Sequence, residues 1–123
     1  MNKIIGLIIV IGMTASCKKK EVSVFVGKYK LVETLVDPGD GSGIFQSVSS
    51  DKTIEFSENY TVTSNGDLCS MSVDADVETS GTYSDLDSVL HSTSCSLNML
   101  LDGDEIIITY PCIEPCQAKY EKL

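Results

Sequence analysis

Ser96-Leu97-Asn98-Met99-Leu100-Leu101-Asp102-Gly103-Asp104-Glu105-Ile106-Ile107-Ile108-Thr109-Tyr110 reads as two apolar runs joined by turn chemistry. Asp-Gly between β-branched and apolar runs is a strong hairpin signal, because both residues tolerate the positive φ that tight antiparallel turns need. Ile106 and Ile108 fall on one face at a period of two. Pro111 has no amide hydrogen to donate to a ladder and ends the second strand.

Working outward, the same pattern recurs along the chain. Gln117 to Leu123 reads as a final strand with Ala118 and Tyr120 on one face. Val77 to Ser84 and Leu86 to Ser92 form a second hairpin around Ser84-Asp85, and Leu68 to Asp76 between the turns is ambiguous. Lys52-Thr53-Ile54-Glu55-Phe56-Ser57 alternates with Ile54 and Phe56 inward. Glu58-Asn59 then turns the chain into Tyr60-Thr61-Val62-Thr63-Ser64, with Tyr60 taken as inward-facing. Phe25 to Val36 is rich in β-branched and aromatic residues, with Tyr29, Leu31 and Leu35 on one face. Asp37-Pro38-Gly39-Asp40-Gly41-Ser42-Gly43 is turn chemistry throughout, and Ile44 to Val48 is a short strand or a loop edge. No helical period survives downstream of residue 24. About eight short strands with regular turns define an all-β antiparallel sandwich or small barrel.

The N-terminus has a different character. Met1-Asn2-Lys3 is a positive start, Ile4 to Met13 an apolar run, and Thr14-Ala15-Ser16 a set of small residues before Cys17. That is a signal peptide over residues 1–16, too short for a permanent span of about 20 apolar residues. The small-small-Cys site resembles the bacterial lipobox, with Thr14 standing where leucine is usual. The resemblance implies that Cys17 carries the acyl chains, palmitate among them, and that residues 17–24 are a tether. Each buried methylene contributes roughly 0.8 kcal/mol, and stable anchoring takes at least two chains.

Cysteine arithmetic agrees. Five cysteines is odd for an exported chain. Setting Cys17 aside leaves Cys69, Cys95, Cys112 and Cys116, an even set in an oxidising compartment. Three pairings are open. Cys112–Cys116 with Cys69–Cys95 is favoured, since Pro111 and Pro115 bend the first segment and the second pair lies at hairpin ends. A four-cysteine zinc site fits poorly, because only one pair has knuckle-like spacing. Cys-x3-Cys also lacks the two-residue spacing of redox motifs.

The formal charge is −9, and removal of Lys3 with the leader makes it −10. All nine basic residues are lysines, and only Lys18-Lys19-Lys20 cluster. Nucleic acid is therefore excluded as a partner, since phosphate contacts need grouped Lys and Arg. The lysine triplet is a solvated tether or faces anionic head groups.

No catalytic constellation emerges. His91 is the single histidine and sits in a strand; no Gly-x-Ser-x-Gly or Ser-x-x-Lys frames a nucleophile. Asp74-Ala75-Asp76-Val77-Glu78, Asp85-Leu86-Asp87 and Asp102-Gly103-Asp104-Glu105 match no EF-hand loop and read as solubilising turns. Asp87-Ser88-Val89 resembles an O-glycosylation signal of Bacteroidota. No cofactor and no metal is expected, and the chain is read as a non-enzyme.

Gly27-Lys28-Tyr29-Lys30-Leu31-Val32-Glu33, the Asp37-to-Gly43 turn leading to Phe45, and Cys112-Ile113-Glu114-Pro115-Cys116 followed by Lys119-Tyr120 together resemble the lipocalin-like lipoproteins of Bacteroidota. The resemblance covers residues 25–123 and implies a calycin-type, up-and-down β-barrel on a lipid tether. It departs where lipocalins carry Gly-x-Trp packed against an arginine. Tyr29 is the aromatic here, and Lys119 or Lys122 are the cations that could stand in. An eight-stranded interior is filled by side chains or holds one small ligand. Short strands predict the filled case, with Tyr29, Leu31, Ile54, Phe56, Tyr60, Ile106, Ile108 and Tyr120 as the interior. The expected function is a monomeric, non-catalytic binding module anchored to the outer membrane, facing the periplasm or the surface and engaging an envelope protein. The alternative is a carrier of a small hydrophobic ligand.

Overall fold

The alternating runs fold into nine strands in a computed structural model that describes residues 21–114 and 116–123. The leader over residues 1–16, the lipidation at Cys17, Lys18-Lys19-Lys20 and the bend at Pro115 lie outside the described residues. The strands are β1 (Gly27–Val36), β2 (Gln46–Ser47), β3 (Thr53–Phe56), β4 (Thr61–Ser64), β5 (Thr79–Ser84), β6 (Val89–Ser92), β7 (Ser96–Asp102), β8 (Glu105–Tyr110) and β9 (Cys116–Lys122). All ladders are antiparallel, and from β3 to β9 each strand pairs with its chain neighbours.

β1 closes the sheet. Gly27 to Lys30 pair with β3, while Tyr29 to Val36 pair with β9 along nearly the whole strand. Two-residue β2 only extends the outer end of β1, through Glu33 and Thr34. The result is a closed eight-stranded, up-and-down antiparallel barrel, consistent with a lipocalin-type topology, with β2 as an appendage. Closure satisfies the strand edges that an open sheet would leave bare.

Three local features differ from the plain alternation. The β1–β9 register shifts between Leu31 and Glu33, a bulge that places one extra residue, Val32, in β1. One extra residue inverts every later side chain. Leu35 therefore pairs with Gln117 on the outer face and not with the inward row of Tyr29 and Leu31; Thr34 and Val36 oppose Ala118 and Cys116 instead.

Tyr60 is the second correction. It is 43% exposed, in the turn and not in the interior. The Tyr60 amide donates to Ser57 O and the Ser57 amide to Thr61 O, with Tyr60 at φ 63°. That is a three-residue hairpin loop ending in a left-handed residue, so β4 begins at Thr61 and Val62 takes the inward place.

The β7–β8 turn falls one residue later than Asp-Gly suggests. Asp102 pairs with Glu105, so Gly103 and Asp104 are the central residues. Gly103 has φ 59°, as the first position of a type II′ turn requires.

Candidate functional site

The interior holds one contiguous apolar cluster. Tyr29, Leu31, Ile54, Phe56, Ile106, Ile108 and Tyr120, seven of the eight interior residues expected from the sequence, are at most 2% exposed. Phe25, Val62, Leu68, Tyr83, Leu90, Leu97, Met99, Tyr110, Cys116 and Ala118 complete it. Most of these were legible by carrying the inward parity of each strand one step further. Leu68 was not, because it lies in a loop without periodicity.

One end is plugged by aromatic rings. Phe25, just before β1, packs against Phe56 at 5.9 Å and Tyr83 at 6.1 Å between ring centroids. Phe56 meets Tyr83 edge-on at 5.0 Å and Tyr29 at 5.8 Å. The Tyr29 hydroxyl donates to Phe25 O at 2.9 Å, closing the entry segment onto the barrel. Of the two candidate stand-in cations, Lys122 lies at this closed end, where its side chain approaches Gly27. Lys119 lies on the outer wall instead, 2.9 Å from the Glu33 carboxylate and 4.3 Å from the Phe45 ring centre.

The other end is crossed by the connection 65–78. Leu68 is buried beneath it, and Cys69 is joined to Cys95, between β6 and β7, with Cα atoms 5.7 Å apart. The Leu68 amide donates to Thr79 Oγ1, and Thr79 Oγ1 donates to Gly66 O. Lys52 holds the strap from below. Its ammonium donates to the carbonyls of Asp67 at 2.7 Å, Ser70 at 2.9 Å and Ser72 at 2.9 Å. All three donors of the ammonium are satisfied, as a lysine with no exposed surface demands. Burial pushes its pKa down, partly countered by the Asp67 and Asp74 carboxylates. The sequence carried the signal, since Lys52 shares the parity of Ile54 and Phe56.

Beneath the strap lie Tyr110 and Tyr120. The Tyr110 hydroxyl is buried next to the Tyr120 hydroxyl but makes no hydrogen bond of good geometry. Burial raises its pKa well above 10, helped by neighbouring Tyr120, and burial pushes Tyr120 up to about 12. Both hydroxyls are neutral at physiological pH and suit hydrogen bonding rather than proton transfer.

The second disulfide joins Cys112 to Cys116, with Cα atoms 6.0 Å apart, and closes the segment between β8 and β9. Beside it the Asp37 carboxylate accepts amides from Gly39 at 2.8 Å, Gly41 at 3.2 Å and Gly43 at 3.4 Å. The Gly39 amide foremost holds its pKa below the ordinary carboxylate range. The Asp37-to-Gly43 turn is thus tied by its own first side chain.

His91 lies on the outer face of β6, its ring 2.8 Å from Ser96 Oγ. Ser88 occupies the β5–β6 turn at φ 51°. Among the described residues no group of three or more His, Cys, Asp or Glu side chains could hold a metal, and no helix is long and apolar enough to cross a membrane. Grooves of about 370 and 360 Å³ flank the strap outside the barrel, one against Lys28, Thr53 and Glu55 and one against Ser49 to Asp51.

Barrel, aromatic plug and cross-linked strap define the class: a small, closed, up-and-down β-barrel with disulfide-tied loops. No protein-family profile, no curated protein and no solved structure matches the chain.

Proposed function

We propose that residues 17–123 form a lipid-anchored, non-catalytic member of the lipocalin-like lipoproteins in a Bacteroidota-type envelope. In this reading it is a monomer at the outer membrane, engaging an envelope protein through its acidic outer surface. The observation that carries it is cysteine use. Cys69, Cys95, Cys112 and Cys116 pair among themselves, so the cysteine that follows the small residues Thr14-Ala15-Ser16 is the odd one, as a lipid attachment site requires. The packed interior supports a surface-binding role over internal cargo.

The test is Cys17→Ser followed by fractionation and by mass measurement of the acylated parent. Release of a folded, oxidised domain from the membrane fraction is the expected result. Retention in the membrane overturns the anchor.

A second reading, carriage of a small hydrophobic ligand, is favoured by the buried Tyr110 hydroxyl beneath the strap, which makes no hydrogen bond of good geometry. Native mass spectrometry of the C17S domain from its producing cells separates the two. A mass four hydrogens light and otherwise bare favours the surface module; a reproducible added mass that denaturation removes favours the carrier.

A further inference from the structure

We infer that the closed end of the barrel rests on the lipid bilayer through an apolar patch formed by Val22, Val24, Tyr60 and Leu86. The inference rests on the lipid anchor proposed above.

The patch is a real neighbourhood, though its members come from three parts of the chain. Ser23 Oγ donates to the Asp85 carboxylate, which fixes the entry segment beside the β5–β6 turn. The Tyr83 amide donates to Tyr60 O at 3.1 Å, and the two rings are 5.4 Å apart, which brings the β3–β4 turn to the same place. Val22 and Val24 flank Ser23, and Leu86 follows Asp85. All four side chains face water: Leu86 is 97% exposed, Val24 68%, Val22 57% and Tyr60 43%.

Tyr60 packs its ring against that of Tyr83, but Val22, Val24 and Leu86 belong to no part of the buried core. Phe25 and Tyr83 already plug this end from inside, and Leu86 is outside that cluster and almost fully exposed. Apolar groups at adjacent turn tips, with an aromatic among them, suit the boundary between head groups and acyl chains.

Chain length selects the occupant. From Cys17 to Glu21 is four residues, which even fully extended reach only about 14 Å. The first described residue is next to Val22, inside the patch. An acylated Cys17 therefore holds the patch near the bilayer and cannot bring the opposite end, with the strap and the Cys112–Cys116 segment, to the same surface without turning the barrel over. Confinement by the tether also raises the effective concentration of the patch at the membrane, so contacts too weak to bind alone are populated. Glu58 and Asp87 lie in the same turns as Tyr60 and Leu86 and oppose anionic lipid, whereas Lys18-Lys19-Lys20 in the tether favour it, so a zwitterionic surface is the one on which the apolar side chains alone are tested.

The chain contains no tryptophan, so a single introduced indole reports its own surroundings. Acylated L86W and, at the opposite end, I44W are reconstituted into zwitterionic phosphatidylcholine vesicles, with and without lipids brominated high on the acyl chain. Both positions are exposed, so neither change disturbs the core. Insertion about 5–10 Å deep predicts a blue-shifted L86W emission that loses roughly half its intensity to bromolipid, with I44W unaffected. Equal quenching of both, or of neither, while the protein floats with the vesicles overturns the docking and leaves the anchor standing. Failure of both acylation and flotation overturns the anchor and the docking with it.

Discussion

The ammonium of Lys52 lies 2.9 Å from the carbonyl oxygen of Ser72, a residue twenty positions later with which it shares no strand. With the Asp67 and Ser70 carbonyls it forms a three-point cage, and through it the base of β3 holds the strap across the barrel mouth. A buried charge is tolerated here because every proton on it has an acceptor.

Lys52→Met keeps the apolar stem but removes all three donors. Stranded carbonyls cost about 1–3 kcal/mol each when they stay buried, and some will turn to water. Relief of the lysine's desolvation offsets part of that loss. The expected outcome is a loss of roughly 3 kcal/mol in urea unfolding, with faster amide exchange across residues 67–74. Unchanged stability would mean that the cage contributes nothing net.

Much of this architecture is readable from strand parity. Ile54, Phe56 and Tyr120 alternate with polar neighbours, Ile106 and Ile108 keep the same period of two on either side of a half-buried Ile107, and alternation is what a barrel wall imposes. Lys52 obeys the same rule, but a lysine at an inward position reads as solvent-facing unless its acceptors are known, and these come from a loop. Leu35 and Tyr60 escape for a different reason. A bulge at Val32 and a left-handed residue at position 60 each change the parity, and neither leaves a mark in residue type: valine is ordinary in a strand, and tyrosine is a poor left-handed residue. The strap itself has no period to read, being fixed by a disulfide, a caged lysine and hydroxyl contacts rather than a ladder.

The two disulfides differ in leverage. Cys69–Cys95 closes a separation of 26 residues and Cys112–Cys116 one of 4. Chain entropy gives about 3.5 kcal/mol for the longer and about 2 kcal/mol for the shorter. The double variant C69A/C95A should accordingly lose more stability than C112A/C116A, and its amide exchange should quicken in the strap while β8 and β9 stay protected. An equal or reversed order in denaturant midpoints would contradict this ranking.

Gly81 sits where β5 passes close to β6. A Cβ built there falls on the His91 carbonyl oxygen, 2.1 Å away. Backbone cannot swing aside as a flexible side chain can, so Gly81→Ala must displace the β5–β6 pairing itself, at Gly81–Ser92 and Thr82–His91. Overpacking of this kind costs about 1–3 kcal/mol, with the upper end expected because the obstacle is main chain. Thermal unfolding of G81A reads the effect, and an unchanged midpoint would show that the barrel can widen there at no cost.

Alkaline pH should unfold the barrel through its tyrosines. Burial raises the hydroxyl pKa of Tyr29, Tyr83, Tyr110 and Tyr120 above the ordinary value near 10, to about 12 for Tyr120. The unfolded chain ionises first, so this contribution to stability is complete below pH 10 and drains away as the pH climbs through the folded values. Tyr120 alone accounts for roughly 2–3 kcal/mol between pH 10 and 12. Phenolate absorbance of these four should therefore appear together with the loss of near-ultraviolet circular dichroism, not before it. Tyr110→Phe sharpens the test, since it deletes a buried hydroxyl that makes no hydrogen bond of good geometry. That variant should be unchanged or up to about 1 kcal/mol more stable at neutral pH and should unfold at higher pH than its parent. A clear loss of stability in Y110F would mean that the hydroxyl is satisfied in solution, and the same loss in Y110F made in a Tyr120→Phe background, where the neighbouring phenol is gone, would assign the partner to a bound molecule and move the balance toward the carrier.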